Sequence, residues 1–173
     1  MIYILLGLPR SGKSSIVNSL LKPYYNKENS YCFYNMTKDY PKKIKVLSNR
    51  MPFSVICADD IRLALTGQRY YEPAEPIVHS IKQTMIRSML LKNQNILIDE
   101  THSSDRSIRE LLALTPDVYG HFVNTSPEVC EQRAIACGQN DLVDKGVIRN
   151  MAENFRNMHP NFRMMFDIKA TWI

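Results

Sequence analysis

Residues Gly7–Ser14, with the sequence GLPRSGKS, decide the fold of this chain. They fit the pattern G-x-x-x-x-G-K-[ST], in which glycines let the backbone curl and successive N–H groups form an anion nest at the start of a helix. The apolar run Ile2–Leu6 before them is typical of a buried strand, and Ser15–Leu21 after them is typical of a helix. This context argues against a glycine-rich turn that happens to contain a lysine. The stretch therefore predicts a site for the phosphates of ATP or GTP.

Each residue type in this loop suits phosphate chemistry. Lys13 places a positive charge at the β- and γ-phosphates, and the hydroxyl of Ser14 is a ligand for Mg²⁺. We expect ATP, or alternatively GTP, together with Mg²⁺. The nucleotide should contact Gly7, Pro9, Arg10, Ser11, Gly12, Lys13, Ser14 and Ser15.

The composition is that of one globular domain. The chain has 173 residues, of which 45% are hydrophobic and 23% charged, and its net charge of +5 suits a phosphate-rich substrate. Its four cysteines lack the C-x-x-C spacing of a zinc site, so we expect reduced thiols in an intracellular protein. The N-terminal apolar run is too short for a membrane span and has no basic region before it. We therefore expect a single domain over residues 1–173, located in the cytoplasm (or a host's cytoplasm if the chain is viral), with no membrane partner.

Apolar strands alternate with amphipathic helices along the chain. This alternation predicts an α/β fold with a mostly parallel sheet covered by helices on both faces, the three-layer α/β/α architecture of P-loop nucleoside triphosphatases. A small helical lid is expected at about 133–150. Three further strands are predicted at Phe53–Cys57, Asn95–Ile98 and Tyr119–Asn124. Helices are predicted to begin near Gly12, Asp59, Ile77, Ser104, Ser126 and Val147, and Gly67 should end the second of them.

Residues 24–52 differ from the rest of the chain. They are rich in Tyr, Asn and Lys and show little helical period, so we expect an insertion or flexible excursion with a short strand at Tyr31–Tyr34. Their tyrosines and lysines resemble a surface that stacks bases and contacts phosphates. The alternative, which we favour, is a solvated loop with some aromatic anchors. Near the other end of the chain, Phe162–Ile173 is a candidate edge strand.

Two pairs of acidic residues follow predicted strands: Asp59 and Asp60 come after Phe53–Cys57, and Asp99 and Glu100 come after Asn95–Ile98. Ligands of open parallel sheets bind at the carboxyl ends of the strands, so these residues should converge on Lys13. Of the first pair, we assign Asp59 to chemistry, as the acceptor of a proton, and Asp60 to capping the following helix. Of the second pair, Asp99 or Glu100 orients Mg²⁺, and the position directly after the strand favours Asp99.

Basic residues lie near the predicted site. Arg62 lies one helical turn beyond Asp59, placed to meet an anionic part of the acceptor, although a surface ion pair is an equally good interpretation. After the fourth strand, a mobile flap with arginines would close over the triphosphate and neutralise charge that develops during transfer. Since solvated helix faces account for most arginines, only some of Arg133, Arg149 and Arg156 should act in this way.

Four segments of the chain resemble the small P-loop kinases of the polynucleotide kinase group, which includes kinase domains of phage and bacterial 5′-end-healing enzymes. These segments are G-L-P-R-S-G-K-S, A-D-D-I-R at 58–62, L-I-D-E-T-H at 97–102, and the run from Glu128 to Met151. The resemblance implies that Lys13 and Ser14 hold the phosphates and Mg²⁺. It implies further that Asp59 is the general base and that Arg62 contacts the acceptor-side phosphate.

The same resemblance identifies Asp99 or Glu100 as the acidic residue after the third strand and Arg133 as the lid arginine. The chain also departs from the family. Arg10 stands where relatives often carry glycine, Cys137 replaces a second lid arginine, and residues 24–52 have no counterpart that we can place. Neither a phosphatase nor a ligase domain is predicted, so the resemblance implies separate repair or modification enzymes as partners.

Together these features predict an ATP-dependent phosphotransferase with an alcohol group as acceptor. The leading hypothesis is in-line transfer of the γ-phosphate to a hydroxyl of a nucleic acid, DNA or RNA, at a 5′-OH end or on a modified DNA base. The alternative is a kinase of a nucleoside, nucleotide or other small alcohol. A nucleotide-binding switch that hydrolyses slowly is less favoured, because a switch does not need Asp59 and Arg62 beside the phosphates.

Overall fold

In the computed structural model, strands and helices alternate along most of the chain. The structure describes residues 1–21, 30–36, 43–47, 53–68, 70–138 and 145–158. The strands are β1 (Ile2–Leu6), β2 (Ser30–Asn35), β3 (Lys43–Leu47), β4 (Phe53–Cys57), β5 (Asn95–Asp99) and β6 (Val118–Phe122). The helices are α1 (Lys13–Leu21), α2 (Ala58–Thr66), α3 (Glu75–Leu91), α4 (Asp105–Leu112), α5 (Pro127–Ala136) and α6 (Lys145–Asn157), and a 3₁₀ turn at Glu72–Ala74 precedes α3.

The strands of the described residues form one mixed sheet in the order β3-β2-β6-β1-β5-β4. β4, β5, β1 and β6 run parallel, whereas β2 pairs antiparallel with both β6 and β3. The predicted α/β class is therefore confirmed, with one strand, β2, that runs against the others and separates β3 from the parallel set. Because the carboxyl ends of the parallel strands lie at one edge, the residues that follow them come together. Leu5 of β1 and Cys57 of β4, for example, both pair with Asp99 of β5.

The side chains of β1 alternate between two apolar clusters. Ile2, Ile4 and Leu6 face a cluster that includes residues of α4, α5 and α6. Tyr3 and Leu5 face a second cluster with residues of α1. All five residues of the strand are buried, which explains why its sequence is a continuous apolar run rather than an alternating one.

The strand predicted at residues 31–34 forms the central part of β2, so that prediction is confirmed. Gly120 of β6 makes room for its end: a Cβ at Gly120 would lie 2.7 Å from the sulfur of Met36 and 2.8 Å from a methyl group of Leu6. The Met36 N–H also donates to the carbonyl of Val118 at 2.9 Å. Tyr34 packs against the core, so its ring is an anchor in the structure rather than a free stacking surface.

Helix ends follow the predicted signals at several places. Gly67 ends α2 in the left-handed conformation, with φ of 70°, and donates its N–H to the carbonyl of Leu63. The hydroxyls of Ser104 and Ser126 accept from backbone N–H groups in the first turns of α4 and α5.

The first turn of α3 differs from the prediction. The helix begins at Glu75, two residues before the expected Ile77, with Pro76 inside the first turn. Proline is tolerated there because the first N–H groups of a helix have no intrahelical acceptor. This shift brings Glu75 into a helix beside α2.

Some predictions fall outside the described residues. They include the edge strand at Phe162–Ile173, the central part of the lid at residues 139–144, and most of the loop surface at 24–52. Among the residues that are described, no helix combines the length and apolar character that a membrane span requires.

Candidate active site

The loop at residues 7–14 adopts backbone conformations that few side chains tolerate. Gly7 and Gly12 have φ of 152° and 106°. A Cβ at Gly7 would lie 2.9 Å from the carbonyl oxygen of Val123 and 2.9 Å from the Ser11 hydroxyl. The two glycines are therefore demanded by the curl of the loop, and Arg10 also takes a positive φ of 64°.

Lys13 lies inside the curl of this loop and is only 8% exposed. Its Nζ donates to the carbonyl oxygens of Gly7, at 3.0 Å, and Leu8, at 2.7 Å. Burial lowers the pKa of Lys13 to about 8, against the opposing effect of nearby carboxylates such as Asp99. At neutral pH the loop thus surrounds a cation that is held by neutral carbonyl groups.

Ser14 and Asp99 join the loop to the end of β5. The Ser14 hydroxyl donates to Oδ2 of Asp99 at 2.8 Å. Burial raises the pKa of Asp99, while the Ser14 hydrogen bond and the charge of Lys13 oppose that shift. Glu100 is engaged elsewhere, because Lys82 of α3 donates to its Oε2 at 2.8 Å. Asp99 is the last residue of β5 and Glu100 follows it, and Asp99 is therefore the one of the two that contacts Ser14.

Arg133 of α5 lies against the other side of the loop. Its Nη1 donates to the carbonyl oxygens of Arg10 and Ser11, both at 3.1 Å. The Thr125 hydroxyl also donates to the Ser11 carbonyl, at 2.8 Å. The structure thus brings the predicted lid arginine to the loop, whereas Arg149 forms a bidentate pair with Glu131 of α5.

A second group of charged residues lies where β4 passes into α2. Arg62 donates from Nη1 to Asp59, from Nε to one oxygen of Glu75, and from Nη2 to the other at 2.9 Å. Hydrogen bonding to Glu75 raises the pKa of Arg62, and the same bond lowers the pKa of Glu75. Arg62 is 17% exposed at its side chain and Asp59 is 62% exposed. The predicted base and the predicted acceptor-side arginine are therefore in direct contact, with Glu75 as a third member.

The start of α2 corrects one prediction. Cys57 occupies the N-cap position, no side-chain hydrogen bond caps the helix, and Asp60 lies inside the first turn. The assignment of Asp60 as the N-cap is therefore wrong. Its carboxylate remains favourable there because the N-terminus of a helix carries a partial positive charge.

His102, to which the sequence assigned no role, is buried just beyond β5. Neither ring nitrogen has a hydrogen-bond partner, and the residue takes a positive φ of 48°. Burial lowers the pKa of His102 to about 4, so the ring is neutral at physiological pH. The preceding residue, Thr101, accepts a long hydrogen bond from the N–H of Gly7 at 3.4 Å. This part of the chain therefore contacts the loop through its backbone.

Sequence reasoning missed three residues that complete this arrangement. Glu75 contacts Arg62, which lies 13 residues away, and Lys82 contacts Glu100, which lies 18 residues away. Thr125 contacts Ser11 of the loop, 114 residues away. No local pattern pairs such residues, because each contact depends on how α3 or the end of β6 packs. The only available signal was the ion-pair interpretation of Arg62.

No protein family matches the sequence, and neither does any curated protein. Solved structures do match it. A chain of a structure titled "Structure of the Pnkp1/Rnl/Hen1 RNA repair complex" is similar with a TM-score of 0.66 and 18% identity, covering 96% of this chain and 46% of that one. A chain of a second Pnkp1/Rnl/Hen1 complex is similar with a TM-score of 0.53 and 20% identity, covering 76% of this chain and 38% of that one. At these identities the likeness is one of fold, and this chain spans less than half the length of either structural relative.

Proposed function

We propose that the chain is an ATP-dependent kinase of the three-layer P-loop class that transfers the γ-phosphate to a hydroxyl of a nucleic acid, most naturally a 5′-OH end. The observation that carries this proposal is the contact between Asp59 and Arg62 at the edge of the sheet that also holds Lys13. A nucleotide switch needs the phosphate loop alone. A carboxylate held beside a cation at the end of β4 provides a proton acceptor next to a phosphate contact, which is what phosphorylation of a nucleotide's hydroxyl requires.

The donor side of the site fits a bound triphosphate with Mg²⁺. Lys13 is desolvated within the loop, and its present acceptors are carbonyl oxygens that phosphate oxygens can replace. The paired oxygens of Ser14 and Asp99 suit a hard cation or its water ligands. When bound, Mg²⁺ would neutralise charge on the phosphates. Arg133 would add a positive charge from the opposite side of the loop.

On the acceptor side, Asp59 would accept the proton of the attacking hydroxyl. Arg62 uses three N–H donors in its bonds to Asp59 and Glu75, so two of the five donors of a guanidinium remain for a phosphate. A polynucleotide presents such a phosphate next to its terminal 5′-OH. The net charge of +5 and the fold shared with chains of an RNA repair complex support this acceptor class. They also support the idea that separate repair or modification enzymes act with the chain.

A kinase of a small alcohol is the second candidate, and the charge near Arg62 favours it. Asp59 and Glu75 contact the guanidinium of Arg62, and the charge of Glu100 also acts on it, so three carboxylates surround one cation. Such a surface offers less attraction to a polyanion than an unpaired arginine would. Nucleosides and similar alcohols therefore belong in the test.

The direct test is transfer from labelled ATP to 5′-OH DNA, 5′-OH RNA, hydroxymethylated DNA and nucleosides. We expect labelling of a 5′-OH end, abolition by EDTA, and loss of labelling in Asp59→Asn while nucleotide binding persists. Labelling of nucleosides alone would replace the leading proposal with the second candidate. ATP hydrolysis without transfer to any acceptor would contradict both.

Salt dependence separates the two acceptor classes. Contacts with several phosphates release counterions, so transfer to DNA or RNA should fall steeply as salt rises. Transfer to a neutral small alcohol should show little dependence on salt. The same titration with Arg62→Ala should have a shallower slope if Arg62 contacts an acceptor phosphate.

A further inference from the structure

We propose that Glu75 is a positioning residue for this transfer: it fixes the guanidinium of Arg62 so that one corner contacts Asp59 while other donors face the acceptor. The inference rests on the proposed function, in which Asp59 and Arg62 are the acceptor-side residues. Glu75 would touch neither the hydroxyl nor the phosphate that reacts. It would act through Arg62.

Glu75 holds the guanidinium of Arg62 through two hydrogen bonds, and we call this pair of residues the clamp. Oε1 and Oε2 of Glu75 accept from Nε and Nη2 of Arg62, which is the bidentate arrangement that fixes both the position and the plane of a guanidinium. The group is planar, so fixing this edge also fixes the remaining nitrogen, Nη1. That nitrogen donates to Oδ1 of Asp59. The orientation of the Arg62–Asp59 contact is thus set by a residue of a different helix.

Glu75 is itself held by the packing of α3 against α2. It is the first residue of α3 and follows the 3₁₀ turn, in which the N–H of Ala74 donates to the carbonyl of Tyr71 at 2.9 Å. Ala74 and Val78, on either side of Glu75, are buried with Ala58 of α2 in a small apolar cluster. The carboxylate therefore stands on a backbone that apolar contacts fix in place.

This arrangement prevents two unproductive geometries. Without Glu75, the same Nε–Nη2 edge of Arg62 would be available to grip both oxygens of Asp59, and the base would lose the oxygen that takes the proton. A long arginine side chain without its clamp would also sample several rotamers, and a displacement of about 1 Å costs a large factor in rate. With Glu75 present, Arg62 engages Asp59 through one oxygen.

The test is a double-mutant cycle on Glu75 and Arg62, measured as kcat/KM for the acceptor that the wild-type chain phosphorylates. We expect Glu75→Ala to lower this value roughly tenfold, with the KM for ATP within about twofold of wild type. In an Arg62→Ala background, Glu75→Ala should change kcat/KM by less than about twofold, because residues that act through one another are not additive. Glu75→Gln, which keeps one acceptor oxygen, should have an intermediate loss.

A purely structural role for Glu75 would give a different pattern. Its loss would then lower the melting temperature and reduce activity equally in both backgrounds, which would overturn the inference. The matched control is Glu110→Ala on α4, which breaks an i,i+4 pair with Arg106 that includes no residue of the clamp. It should leave kcat/KM unchanged.

A spectroscopic readout separates failure of this inference from failure of the proposed function. The Nε–H signal of Arg62 should be slow to exchange in the wild-type chain and should lose that protection in Glu75→Ala. If the signal behaves so but the wild-type chain phosphorylates no acceptor, the proposed function fails and the positioning role falls with it. If the wild-type chain is active and the cycle is additive, only the inference about Glu75 is overturned.

Discussion

The proposed donor and acceptor sides of the site are built in different ways. On the donor side, one continuous loop supplies most of the groups, and Lys13 bonds to carbonyls only six and five residues away. Asp99 and Arg133 contact this loop from distant parts of the chain. On the acceptor side, charged side chains from α2, α3 and the end of β5 meet in pairs separated by 13 and 18 residues. The donor side is thus specified mainly by backbone conformation, and the acceptor side by side chains brought together through packing.

This difference explains why the donor is easier to name than the acceptor. A backbone nest binds phosphate whatever the surrounding side chains are, so its sequence pattern carries over between proteins. An ion-pair network such as that of Arg62 can be rebuilt residue by residue while the fold is kept. Substitutions on both sides of the site test whether backbone and side chains carry these different roles.

The largest expected effect is that of Lys13→Met. Removing the cation from the loop should lower phosphate transfer by on the order of 10³-fold, because a preorganised charge at the phosphates is lost. Stability should not fall with it, since burial already lowers the pKa of Lys13 to about 8 and disfavours the ammonium. Transfer from labelled ATP and a melting curve measure the two effects. Lys92→Met, at an exposed position, is the control. If Lys13→Met kept transfer within tenfold of wild type, the loop cation would not be what drives transfer on the donor side.

A second prediction contrasts two glycines with positive φ. Gly7→Ala places a Cβ 2.9 Å from the carbonyl oxygen of Val123, whereas a Cβ at Gly67 meets nothing within 4 Å. We expect Gly7→Ala to lower the free energy of unfolding by about 3 to 4 kcal/mol, and Gly67→Ala by about 1 kcal/mol for the left-handed conformation alone. Urea denaturation of both variants measures the difference. Equal losses would show that the donor loop relaxes and is not fixed by its backbone.

The sequence predicted the strand, curl and helix at residues 2–21 well because this segment is local. One contiguous segment contains the strand, the glycines, Lys13 and Ser14, so the order of these residues in the sequence already indicates which of them are neighbours in space. The first strand followed from an apolar run that is buried on both faces. The hydrogen bond between Ser14 and Asp99 could be predicted as well, because the carboxyl ends of parallel strands lie close together.

The contacts of Arg62 were predicted only in part, for a physical reason. Asp59 and Arg62 lie one turn apart on a helix, so their proximity is visible in the sequence. Glu75 joins them only because α3 begins before Pro76 and packs on α2, which no periodicity reveals. The antiparallel placement of β2 was equally hidden, since it depends on the space that Gly120 leaves for Met36.

His102 links the two sides and gives a prediction about pH. Thr101, next to it, contacts the loop, and Glu100 contacts Lys82. The charges of Lys13 and Lys82 oppose protonation of the His102 ring, whereas the charge of Glu100 favours it. The pKa of about 4 in the folded chain lies below the ordinary 6.5 of the unfolded chain. The unfolded state therefore binds a proton first as pH falls, and stability is lost between pH 6.5 and 4 by about 3 kcal/mol.

Urea denaturation across this pH range tests the assignment. His102→Asn, which keeps a residue that tolerates positive φ, should remove most of the loss of stability on acidification. His79→Asn, at an exposed position on α3, should leave the pH dependence as in the wild-type chain. An unchanged slope in His102→Asn would mean that His102 is accessible to protons in the folded chain.

The smallest expected effect distinguishes two arginines near the donor side. Arg133 donates to the carbonyls of Arg10 and Ser11, whereas Arg149 is paired with Glu131. We expect Arg133→Ala to lower kcat roughly 100-fold, as the loss of one preorganised donor does, and Arg149→Ala to change it by less than about twofold. Steady-state transfer at saturating ATP measures both. A large loss in Arg149→Ala would mean that this arginine leaves Glu131 when the nucleotide binds, and the donor side would then use a second arginine from outside the loop.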